Sequence, residues 1–251
     1  MSSLIWTEGE IRMVARIGLF LSYLMRPNSV KIGLFLGAIT ILSGIINALF
    51  SVNFLKLFTG EIFSAAEVLR LSYAFTLIFA GYVILLLVLL HAIVTLLRTD
   101  NFKANAEKPK VQLIILISFI IAFFIARAFV VLLDIPLNPA FQLSFKGYRI
   151  HHFFYGISLL IIGGWLGHTN YGNRIMDISA VLYGGGLGLV TDEFGLLLTF
   201  GDYWSSQSYV FFLIFSLVLL LLLLLETYKL VNAKSISIEA LQPPLRTDRG
   251  T

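Results

Sequence analysis

The sequence predicts an all-α membrane protein with six transmembrane helices and an N-terminal amphipathic helix at the membrane interface. Three observations carry this. Of 251 residues, 58% are hydrophobic and 13% charged, with a mean hydropathy of +0.91. Soluble domains carry about 25% charge, so the surplus apolar surface faces lipid. Several apolar runs reach the roughly 20 residues that a helix needs to cross hydrocarbon. The run "FFLIFSLVLLLLLLL" (211–225) has none of the alternation of a transmembrane barrel strand. Finally, Lys and Arg crowd into every second connection between the runs.

The elements follow in order. In "TEGEIRMVARIGLFLSYLMRP" (7–27), Thr7 and Glu10 have capping-box spacing, so a helix starts there. The uncharged run between Arg16 and Arg26 is too short to span, which predicts an amphipathic segment over 1–29 lying on the membrane. A transmembrane domain over 30–231 then holds six spans, at about 31–50, 70–97, 111–133, 150–168, 176–200 and 208–229. A second capping box, Ser64 to Glu67, leads into the second span. The stretch 232–251 is polar and proline-bearing and reads as a disordered cytoplasmic tail. The absence of cysteine excludes disulfides and thiolate chemistry.

Positive charge sets the orientation. Arg12, Arg16, Arg26 and Lys31, then Arg98, Lys103, Lys108 and Lys110, then Arg174, then Lys229, Lys234, Arg246 and Arg249 fall on one side. Only Lys56, Arg70, Lys146 and Arg149 fall on the other. A multi-pass protein of the cell membrane is expected, with both termini cytoplasmic and the 134–150 loop outside. The basic stretch "RTDNFKANAEKPK" (98–110) is a topology signal facing anionic lipid. The implied partner is the bilayer, with a lipid or small ion as ligand and no nucleic acid.

Polar residues inside the spans point to a site. Asp192 and Glu193 stand side by side in "GGGLGLVTDEFG" (184–195), with no Lys or Arg between Arg174 and Lys229. A carboxylate in hydrocarbon is costly and turns inward to a partner or water. His151 and His152 open span four, and Arg127 lies in the outer half of span three. The connection "HTNYGNR" (168–174) is short, so spans four and five are antiparallel neighbours. His152 and Asp192 lie at equal distances from its centre near 172, which predicts that they meet. Gly184, Gly188, Asp192 and Gly195 share one helix face; His152, Gly156, Gly163 and Gly167 share another. Small residues mark close helix approach, so these two faces are expected to pack together or line one gap.

Three roles remain open for this cluster. It is structural, with Arg127 paired to Asp192. Or it binds a divalent metal such as zinc through His151, His152 and Asp192, although no HExxH-type spacing is present. Or it carries protons or ions. The favoured chemistry is metal-assisted hydrolysis of a lipid-like substrate: the metal lowers the pKa of a bound water, Glu193 accepts its proton and Arg127 orients a carboxylate or an anionic substrate. The alternatives are an ion- or proton-coupled transporter or channel, and a structural or assembly subunit. Against transport, no second polar cluster completes a path to the cytoplasm, where Asp177 and His91 are the only candidates. Arg127 separates the readings, standing back from a metal but touching Asp192 or Glu193 in a structural cluster. "YGGGLG" (183–188) lacks the Gly-Lys-Ser/Thr of a phosphate loop and serves helix packing. Tyr203 and Trp204 belong to an aromatic belt.

"HHFFYG" and "TDEFGLLLTFGDYW" resemble segments of a group of uncharacterised prokaryotic integral membrane proteins. These pair a His-His-x-x-x-Gly segment with a later Gly-rich helix ending in Leu-Asp-Glu-Phe, followed by Tyr-Trp. The resemblance covers roughly 148–204 and departs at Thr191 and Gly195. It implies that the cluster is a unit and brings no activity with it.

Overall fold

The computed structural model describes residues 8–51, 64–99, 102, 106–133, 144–145, 148–149, 152–169, 172–199 and 207–241. Among the described residues the apolar runs form seven helices: α1 (Glu8–Leu24), α2 (Asn28–Ser51), α3 (Ala65–Arg98), α4 (Glu107–Leu133), α5 (His152–His168), α6 (Asn173–Thr199) and α7 (Gln207–Leu241). A two-residue antiparallel pair, Ser144–Phe145 with Tyr148–Arg149, is the only extended pairing among the described residues.

Among the described residues, five helices are long and apolar enough to cross a membrane: α2, α3, α4, α6 and α7. These are the helices of a multi-pass membrane protein. The expected fourth span, α5, has 17 residues. At 1.5 Å per residue it reaches about 25 Å, short of a hydrocarbon core of about 30 Å. Length alone therefore supports five spans where the sequence suggested six.

Thr7 lies outside the described residues, so the first expected capping box does as well. The second one is present: Ser64 N donates to Glu67 Oε2 at 2.8 Å, and Glu67 N donates to Ser64 Oγ at 3.3 Å. In α1, Phe20 and Leu24 are buried while Met13, Val14, Ile17 and Leu21 are exposed. α7 departs from expectation. It stays helical to Leu241, well into the stretch read as a loose tail. Lys234, on this extension, lies 5.4 Å from the Phe102 ring, a contact that a charge-and-proline reading of the tail does not anticipate.

The chain divides into two compact units, residues 1–103 with 231–251 and residues 104–230. In the first unit α2 and α3 run antiparallel in close contact. A Cβ added at Gly81 would stand 2.8 Å from Gly37 O, and one at Gly44 2.8 Å from Ala74 O. Such approach needs small residues on both helices. In the second unit α6 is central, packed on α4 along one side and on α5 along another. The α5–α6 turn passes through Gly172 at φ +93°, a left-handed conformation suited to glycine. Phe119 and Phe123 of α4 and Phe212 of α7 are fully buried. The Phe212 ring stacks on both at 5.5 and 4.4 Å.

Candidate functional site

Three helices of the second unit bring four charged or titratable side chains together. α6 contributes Asp192 and Glu193, α4 contributes Arg127, and α5 contributes His152 in its first turn. Arg127 Nη2 lies 2.6 Å from Asp192 Oδ1 and donates to the Asp192 backbone carbonyl at 2.9 Å. His152 Nε2 lies 2.9 Å from Asp192 Oδ2, and its Nδ1 lies 3.1 Å from Glu193 Oε1. The Asp192 and Glu193 side chains are 1% and 2% exposed and Arg127 8%, whereas His152 is 28% exposed. The histidine is thus the opening through which the cluster meets its surroundings. The guanidinium also sits over two rings, 5.1 Å from the centre of Tyr209 and 5.9 Å from that of Phe123. Such placement suits a cation in a low-dielectric site.

Equal chain distances from the turn explain why His152 finds Asp192. Other contacts across the α5–α6 hairpin keep the same register. Gly156 faces Gly186 and Val190, and Gly163 faces Tyr183. Each pair is equidistant from Gly172 to within two residues.

The glycine faces need a correction. A Cβ on Gly184 would run into Ile115 O, and one on Gly188 would stand 2.5 Å from Phe119 O, so this stripe packs on α4 and not on α5. Gly186 is the residue that meets α5, 2.6 Å from Gly156 O by the same construction. Periodicity tells which residues share a face, but not which neighbour the face meets. Asp192 sits at the end of the α4-facing stripe and still reaches His152, because α5 and α4 flank α6 closely on adjacent sides.

Ser208 of α7 was not foreseen. Its hydroxyl donates to Asp192 O at 2.6 Å and accepts from Gly195 N at 3.1 Å, and the residue is buried. Serine in an apolar run gives no signal of this kind, since it can equally bond within its own helix, as Ser216 does to Phe212 O.

A second polar group lies at the opposite end of the same helices, where none was expected. Lys110 Nζ pairs with Asp177 Oδ2 at 2.6 Å, and Asn173 Nδ2 donates to Glu107 Oε1 at 2.8 Å. These groups border a cavity of about 420 Å³ that Gln112 and Glu226 also line. Asp177 and Asp192 are fifteen residues apart on α6, about 22 Å along the axis. Between these ends the rings of Phe119, Phe123 and Phe212 are stacked and fully buried.

For the proposed metal ligands, His151 lies outside the described residues. Among the described residues, no three His, Asp or Glu side chains are grouped so as to hold a metal ion. Both ring nitrogens of His152 face carboxylates, and the two Asp192 oxygens face Arg127 and His152. Arg127 does not stand back from the acids; it touches Asp192 directly.

No protein-family model, curated protein or solved structure matches the chain.

Proposed function

We propose that the protein is a proton-coupled membrane transporter in which His152, Asp192 and Glu193 hold the coupling proton. One observation carries this reading: a single imidazole faces two buried carboxylates, one from each nitrogen. A neutral imidazole has one N–H. Its other nitrogen presents a lone pair, and with Nε2 hydrogen-bonded to Asp192 and Nδ1 3.1 Å from Glu193 Oε1, an added proton on the histidine or an acid relieves the crowding of negative charge. The 28% exposure of His152 gives that proton a route in and out.

The cavity at the opposite end supplies the second access point that a carrier requires, and the phenylalanine stack between the ends argues for a carrier over an open channel. The hydrolase reading loses support because two of its proposed ligands, His152 and Asp192, are engaged with each other. The structural reading is favoured by the Arg127–Asp192 contact, and it differs in what it expects of protons. In proteoliposomes carrying a pH-sensitive dye, the native protein should pass protons faster than empty vesicles when the outside is acidified. Glu193→Gln and His152→Asn should abolish that difference while remaining monodisperse. Native vesicles no faster than empty ones would leave the cluster a structural one.

The arrangement of spans belongs to the same reading: six, with α5 the short one, and both termini in the cytoplasm of a cell-membrane protein. The lysine and arginine asymmetry supports it. A reporter fused after residue 251 should be active only as a cytoplasmic fusion; external activity breaks the even count.

A further inference from the structure

The first unit carries a pocket unrelated to the acidic cluster. It lies at the end of the α2–α3 hairpin where α2 begins and α3 stops, has a volume of about 180 Å³, and is lined by Tyr23, Arg26, Pro27, Thr95, Thr99 and Phe102 among others. Tyr23 and Phe102 meet edge to face, with ring centres 5.6 Å apart.

The chemistry of the lining is one-sided. The Arg26 guanidinium has no hydrogen bond or ion pair to any described residue. The hydroxyl hydrogens of Thr95 and Thr99 are spent on His91 O at 2.8 Å and Leu96 O at 2.7 Å. The remaining side-chain donors of the lining are therefore Arg26 and the Tyr23 phenol. The only carboxylate among the described side chains of this unit is Glu67, which caps the opposite end of α3. A guanidinium with no ion pair to a described residue and a phenol bordering one small hollow suit an oxyanion. The position selects which one. The apolar stretches of α2 and α3 stop here, and Leu21 and Met25 beside the pocket are 48% and 41% exposed. That is where a lipid headgroup meets its acyl chains.

We infer that this pocket binds the phosphate group of an anionic phospholipid, with Arg26 as its principal contact. The full chain is purified in detergent and challenged, by native mass spectrometry, with phosphatidylglycerol, phosphatidylcholine and inorganic phosphate. Phosphatidylglycerol should be retained in preference to phosphatidylcholine, and Arg26→Gln should weaken its retention about five-fold, the effect of one basic residue beside an anionic surface. Thr95→Leu, which fills the hollow without changing charge, should weaken it as well. Arg98→Gln, outside the lining, should leave it unchanged. Equal losses from Arg26→Gln and Arg98→Gln would mean diffuse surface attraction and overturn the pocket. Retention of inorganic phosphate but of no lipid would overturn the lipid source. Indifference of phosphatidylglycerol to both Arg26→Gln and Thr95→Leu would overturn the inference entirely.

Discussion

Replacing Asp192 with alanine should destabilise the folded chain by about 3–5 kcal/mol, the cost of leaving a buried charge without its partner. Arg127 is 8% exposed and its contact to Asp192 Oδ1 is 2.6 Å. In the variant the guanidinium keeps the Asp192 main-chain carbonyl and the faces of Tyr209 and Phe123, but loses the Asp192 carboxylate. The double variant Asp192→Ala with Arg127→Met should recover a large part of the loss, because removing both members of a buried pair is much less harmful than removing one. Denaturant titration of the detergent-solubilised protein measures both. A single variant within 1 kcal/mol of native would show that the pair contributes little.

Gly184→Leu should be nearly as damaging, at about 3 kcal/mol, the upper end for overpacking. Any Cβ there collides with the carbonyl oxygen of Ile115, and a main-chain atom in the middle of α4 cannot turn aside as a side chain can. The neighbouring Gly185 gives the control. A Cβ there meets nothing within 4 Å, so Gly185→Ala should stay within about 0.5 kcal/mol of native or gain slightly from helix propensity. Equal effects at the two positions in the same titration would refute the close packing of α6 on α4.

Much of this was readable from the residues. Apolar run lengths located the helices, and the capping box at Ser64 placed the start of α3 near 65 and not 70. The short 168–174 connection brought His152 to Asp192, because two helices of equal rise keep register across a tight turn. Arg127 followed from the penalty on a lone cation at that depth. The remainder depends on distances that a one-dimensional pattern does not hold. Nothing in the sequence says that Gly184 faces α4 while Gly186 faces α5, since a helix face can turn toward either neighbour. Nor does it show Ser208 reaching across to Asp192, or Lys110 and Asp177, sixty-seven residues apart, closing the other end. Nor does it show that one imidazole comes close to both acids, with Nε2 on Asp192 and Nδ1 beside Glu193.

The length of α3 has a consequence of its own. Its 34 residues measure about 51 Å, against about 30 Å of hydrocarbon. Even a lean of 40° from the membrane normal, the steep end of what such helices adopt, leaves about 39 Å of helix along the normal. Two or more turns must therefore stand in the headgroup layer or beyond it, and the first turns, with Glu67 and Arg70, are the polar ones. Because α2 and α3 are locked at Gly37, Gly44 and Gly81, neither slides past the other to take up the difference. The pair instead accommodates bilayers of different thickness by changing its lean, so a thicker membrane draws more of α3 inside and stands the hairpin more upright.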